Sequence, residues 1–286
     1  MNTFFRTPFT ISLLGAALLV APAIPGQQDK PPASTTKEKL AEWPKLADAD
    51  KERVPNLVGQ FRKDANAQEA AKKQLVAMGP GVMPQLFAQI SERPDNVNGG
   101  LFAVFDALLT PAHAGLMANE MKKPRIELRR YLAIRLCRFA DPDLLPVLQS
   151  AMTDKDEVTA FHAALGALAL KHKDALAPVL AYARNHWMDI AKTVGEVLPR
   201  DRDLANHILE GIAKANAIDQ MTGLRLVRSV VLPDQKSTVR PYLQASDNAV
   251  KREAINVMRV LHGEQPAENL PVFQVIEQAN AWLKKV

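Results

Sequence analysis

LRRYLAIRLCRFADPDLLPVLQSAM, residues 128–152, carries the pattern that decides the fold. Its first half reads as an amphipathic helix with arginines on the polar positions, and its second half as another helix with Pro-x-Leu early in its length. Between them Asp141 is placed to accept from free helix amides, and Pro142 falls in the first turn, where a missing N–H costs nothing. The second helix therefore starts there. The same unit recurs: Pro84-Gln85-Leu86, Ala114-Gly115-Leu116, Pro146-Val147-Leu148, Pro178-Val179-Leu180, His207-Ile208-Leu209, Pro241-Tyr242-Leu243 and Pro271-Val272-Phe273 follow at spacings of 30, 32, 32, 29, 34 and 30. LRRYLAIRLCRF from Leu128 and VKREAINVMRVL from Val250 keep apolar and basic positions in one order although they lie 122 residues apart.

A period of about 31 residues accommodates two short helices and their turns, and each hairpin leaves an apolar face that only another hairpin can cover. The expected fold is thus all-α: a solenoid of about seven two-helix repeats over residues 65–286, preceded by capping helices over 37–64. These are a short helix in KEKLAEW before Pro44 and a longer one from about Asp50 to Lys63. Gly79, Pro80 and Gly81 break the chain ahead of another second helix, Asp154 and Asp247 are candidates to open first helices, and Arg93 to Gly100 reads as a longer turn. Composition agrees, with 47% hydrophobic residues but only 6% aromatic and few glycines.

Ahead of the array, residues 1–26 place Arg6 before an apolar run from Ile11 to Ala23 that ends in small residues, the layout of a secretory signal peptide. The run is shorter than the roughly 20 residues of a spanning helix, so export to the periplasm or the extracellular space is expected, with no membrane span after cleavage. No Cys near the cleavage region offers a lipid anchor. Residues 27–36, QQDKPPASTT, read as a disordered linker. The single cysteine, Cys137, leaves no internal disulfide and reads as a small buried residue.

RRYLAIRLCRFADPDLLPVLQSAM resembles a short HEAT-like repeat of the phycobilisome-lyase type. The resemblance implies a right-handed α-α superhelix whose second helices line a concave wall, with arginines of first helices pairing with aspartates at the ends of adjacent repeats. Asp141, Asp143, Asp154 and Asp156 lie in suitable places for such pairs.

No chemical constellation accompanies the repeat. The six histidines have no metal-ligand spacing, the glycine pairs lack a phosphate-loop context, and no nucleophile motif is present, so neither catalysis nor a cofactor or metal is expected. The densest charge lies at Lys122, Lys123, Arg125, Arg129, Arg130, Arg135 and Arg138, interrupted only by Glu127; it reads either as a basic patch or, with more support, as one side of inter-repeat ion pairs. The net charge of +5, of which Arg6 contributes one, is a weak bias. The reading that follows is a monomeric exported scaffold that takes a protein or peptide on the concave wall, with Gln85, Gln89, Gln149, Tyr182, Arg184, Trp187 and Tyr242 as candidate contacts. A bilin-loading protein, implied by the lyase-type resemblance, and a nucleic-acid binder are the alternatives.

Overall fold

The computed structural model describes residues 39–93, 95–267 and 269–285. The expected signal peptide and linker lie outside these residues. Fourteen α-helices and no strand occur among the described residues. After α1 (Asp48–Gln60), five hairpins and one three-helix run that holds two repeats make up the seven expected repeats: α2 (Ala65–Ala77) with α3 (Met83–Gln89), α4 (Asn96–Leu108) with α5 (Ala114–Glu120), and α6 (Ile126–Leu136) with α7 (Leu145–Ala151). Next come α8 (Glu157–Ala169), the long α9 (Leu176–Val197) and α10 (Arg202–Ile212). The array closes with α11 (Ala217–Val230) and α12 (Arg240–Leu243), then α13 (Asn248–Leu261) and α14 (Val272–Leu283).

The recurring prolines have one structural meaning. Most second helices are entered through a 3₁₀ turn, at Pro80–Val82, Pro111–His113, Pro142–Leu144, Lys173–Ala175 and Pro233–Val239. Pro84, Pro146 and Pro241 then occupy the second residue of the helix proper, where no intrahelical acceptor waits for an N–H. Asp141 caps its turn through the amide of Asp143, as its position suggested. Asp247 opens α13, accepting from Ala249 and Val250. The cap of α8 is Asp156, not Asp154: Asp156 accepts from the Thr159 amide at 2.9 Å, while Asp154 accepts from the Asp156 amide and holds Arg129.

Three local expectations fail, each for a packing reason. Residues 39–43 are not helical; they lie across the array instead. The segment 93–100 is shorter as a turn than expected, because Asp95 caps α4 through the Asn98 amide and brings both glycines into the helix. A Cβ on Gly100 would lie 2.3 Å from the Phe61 ring, so the residue exists for helix contact. The fourth second helix and the fifth first helix are one continuous element, α9, bent at His186 (φ −121°, ψ 16°). No Gly or Pro separates the two halves in AYARNHWMDIAKTV.

One apolar core runs from Val54 to Trp282. Phe61, Phe87, Phe105 and Phe161 are fully buried in it, as are most of the alanines of α8. Cys137 is also inside; burial pushes its thiol up to about 12, which makes it a small core residue. The α6–α8 approach is close enough that a Cβ on Gly166 would meet the Cys137 Cα at 2.9 Å.

Polar contacts join neighbouring repeats at about one period. Arg129 pairs with Asp154 (2.8 Å), Arg130 with Asp156 (2.6 Å), Arg184 with Asp219 (2.6 Å) and Arg225 with Glu253 (2.8 Å). Lys171 spans to Asp201 and Asp203, and Arg202 to Asp234. Burial alone would raise the Asp156 carboxyl, yet hydrogen bonds from Arg130 and from Thr159 outweigh it and hold the group below the ordinary carboxylate range. Asp154, with Arg129, behaves alike, and Asp201 is lowered chiefly by Lys171.

Gly166→Ala should cost about 1–3 kcal/mol in urea unfolding, because backbone rather than a movable side chain opposes the added methyl. The lowered aspartates contribute stability that is present above their unfolded pKa, near 3.9, and lost as pH falls through the folded value. The buried His113 and His162 are held below the ordinary imidazole range, so the urea midpoint should begin to fall below about pH 6.5 and drop further below about pH 4 as the aspartates protonate. Asp156→Asn should lower the midpoint by the equivalent of about 1–2 kcal/mol at neutral pH and flatten that acid limb.

Candidate functional site

The second helices form a wall, and its first three repeats are already covered by the chain itself. Residues 39–47 run from the third repeat back to the first. Lys39 Nζ meets Asp141 at 2.8 Å and Asp143 at 2.5 Å, beside the start of α7. The Leu40 amide donates to the Ala112 carbonyl at 3.0 Å, before α5. The Trp43 indole stacks on His113 at 5.5 Å between ring centres and stands edge-on to Phe87 of α3 at 5.7 Å. Pro44 passes over Gly81, where a Cβ would lie 2.7 Å from the Pro44 carbonyl oxygen. The strap crosses this distance as non-helical chain with bends at Ala41 and Glu42. Burial lowers the His113 pKa, so the imidazole under Trp43 is neutral at pH 7.

Beside the Lys39 end of the strap and beyond it, the wall shows open grooves between successive second helices. The α5–α7 groove holds about 440 Å³ over Gly115, Ala118, Pro146 and Val147, with Lys39 and Lys122 at its rim. The α9–α10 groove holds about 400 Å³ and carries Lys171, Lys173, His207 and Glu210. The α10–α12 groove is the largest of the three at about 610 Å³, with Leu209, Ala213, Pro241 and Ala245 below and Glu210 and Asp247 at its edge.

The residues chosen from sequence fall in different places. Gln89 and Gln149 are exposed on the wall, and Gln149 meets the His172 ring at 3.2 Å. Gln85 is half-buried, with its Oε1 enclosed and unbonded. Tyr182 is stacked between Phe161 (4.5 Å) and His186 (4.2 Å), and exposed Arg184 is held by Asp219. Two assignments to the exposed wall are corrected. Tyr242 is 6% exposed and its hydroxyl donates to the Leu209 carbonyl at 2.8 Å, with burial pushing the phenol up to about 12. Trp187 follows the α9 bend and so belongs to a first helix, where Arg225 and Arg228 each lie 5.7 Å from its ring centre. These residues, with Arg252, Glu253 and exposed Met188, border a separate pocket of about 170 Å³ on the first-helix side.

The basic stretch is largely neutralised within the fold. Besides Arg129 and Arg130, Lys123 pairs with Glu120, Arg135 with Asp106 and Arg138 with Glu196. Lys122 bonds to the Asn119 side chain and Arg125 to the Phe87 carbonyl. Asp154 and Asp156 take the inter-repeat role the resemblance implied, whereas Asp141 and Asp143 receive Lys39 of the strap. Trp43 and His113 were missed because a Trp-Pro pair in a short polar segment has no periodicity to mark its contacts. Among the described residues no three His, Cys, Asp or Glu side chains are grouped as metal ligands, and no single helix is long and apolar enough to cross a membrane.

Stacked hairpins with a continuous core and paired inter-repeat charges define an α-solenoid. Residues 116–198, from within α5 to just past the end of α9, match the family of HEAT repeats, so this part of the solenoid is built of HEAT-like repeats. No curated protein and no solved structure matches it.

Gly81→Ala should lift the strap without disturbing the array. Trypsin should then cut at Lys39 and Lys45 faster than in the unaltered chain, while the helical circular-dichroism signal is unchanged.

Proposed function

We propose that the protein is an exported, non-catalytic scaffold that binds a protein or peptide along the wall of its second helices. One observation carries this reading: the wall already holds a non-helical segment of the chain, residues 39–47, through a ring, a backbone amide and a lysine. A surface that seats one such segment has the acceptors and grooves to seat another. The arrangement of residues 1–26 supports export. The nucleic-acid alternative loses its main support, because arginines bonded to carboxylates must give up those partners before they meet phosphate. Nothing about the described grooves favours a bilin over a peptide.

Affinity capture from the native cell envelope, using the protein lacking residues 1–26, tests the proposal. A second bait carries Gly115→Trp and Ala213→Trp, which obstruct two wall grooves; an added Cβ at Gly115 meets no atom within 4 Å. A third carries Met188→Asp on the first-helix side, where Met188 is 81% exposed. The expected result is a partner retained by the first and third baits and lost by the second. Loss with Met188→Asp alone, equal retention by all three, or no partner at all would overturn the reading.

A further inference from the structure

Residues 39–46 act as a ligand of the wall that remains covalently attached, and they display the chemistry the wall accepts. Trp43 fills the groove between α3 and α5, and a lysine four residues earlier meets a carboxylate pair. Further along the same wall, the α10–α12 groove sets two carboxylates beside an open apolar floor, aliphatic here where Trp43 meets the rings of Phe87 and His113. Leu209, Ala213, Pro241 and Ala245 give it small and aliphatic surface, and its volume of about 610 Å³ admits an aromatic side chain. Glu210 and Asp247 stand at its edge, no Lys or Arg lines it, and among the described residues the Glu210 carboxylate is in no ion pair. The other two grooves set lysines beside their carboxylates: Lys39 and Lys122 with Asp141 and Asp143 in the α5–α7 groove, and Lys171 and Lys173 with Asp203 and Glu210 in the α9–α10 groove.

We infer that the α10–α12 groove binds an extended peptide that seats an aromatic side chain on Leu209, Ala213, Pro241 and Ala245 and sets a lysine or arginine against Glu210 and Asp247. The inference rests on the scaffold reading and narrows it to one groove and to a cationic, aromatic-bearing peptide. The groove's place on the wall that holds the strap, and two carboxylates with no Lys or Arg in the lining, are the reasons for choosing this occupant.

The probe is a fluorescein-labelled peptide of residues 37–47, KEKLAEWPKLA, titrated into the full chain, whose α3–α5 groove is already occupied by its own Trp43. Fluorescence anisotropy should rise saturably. Replacing the peptide's tryptophan by alanine, or Ala213→Trp in the protein, should weaken binding at least about tenfold, in line with loss of an aromatic anchor. Glu210→Lys should weaken it several-fold, and the difference from the unaltered chain should shrink as salt rises. Ala213 and Glu210 are both exposed, so circular dichroism should show each variant folded. No saturable rise, or binding unaffected by Ala213→Trp, would overturn the inference. A benzophenone side chain in place of the peptide's tryptophan separates the two readings. Cross-links to α10 or α12 support the groove; cross-links to α3, α5 or α7 overturn it while leaving the wall reading intact; cross-links confined to first helices overturn both.

Discussion

Each hairpin of this protein has more apolar surface than it can bury by itself, and covering that surface is the constraint on which the structure depends. Phe87 and Phe105 are fully buried, and each stands edge-on to a ring of the next hairpin, Phe105 and Tyr131 respectively. Burying such a side chain is worth about 1.5–3 kcal/mol, whereas fixing each residue of the backbone costs about 1–2 kcal/mol, so a lone hairpin has little margin. Stability therefore accumulates between neighbours, and close approach at points such as Gly166 against Cys137 is required rather than incidental.

Apolar stacking does not choose a register by itself, and the charged side chains supply that choice. Arg129–Asp154, Arg130–Asp156, Arg184–Asp219 and Arg225–Glu253 each tie one repeat to the next. Several are partly enclosed, so they are less screened than surface pairs, and a slip of one repeat against another would strand their charges. The same arrangement explains why a stretch with seven basic residues is no open cationic face. Its arginines serve the joints of the solenoid, and the wall of second helices is left with grooves lined by small residues.

The two sides of the array thus have different chemistry. On the first-helix side Trp187, Arg225, Arg228 and Glu253 interlock. On the second-helix side, Trp43 and Lys39 reach the wall from a segment outside the repeats and cover three of its turns. The strap uses a carbonyl ahead of α5, a carboxylate pair at the turn before α7 and the space beside Gly81.

The Pro-x-Leu triplets and their spacing were enough to determine the repeat, its number and the turn chemistry, because those depend on contacts within about thirty residues. The apolar run around Cys137 marked it as core, and the family resemblance offered Asp141, Asp143, Asp154 and Asp156 as partners for arginine, a role that Asp154 and Asp156 take while the other two receive Lys39. The site was far less legible. Tyr242 had the right helix and the wrong exposure, and Trp187 had the right exposure and the wrong helix, since a bend at His186 rather than a loop divides two repeats. Whether residues 39–43 form a helix was decided by His113, Phe87, Ala112 and Asp141, which lie about 40 to 100 residues away, against a local sequence that favours helix. Local periodicity determined what repeats in this protein; only the tertiary structure decided which wall is open, because openness depends on what distant segments happen to cover.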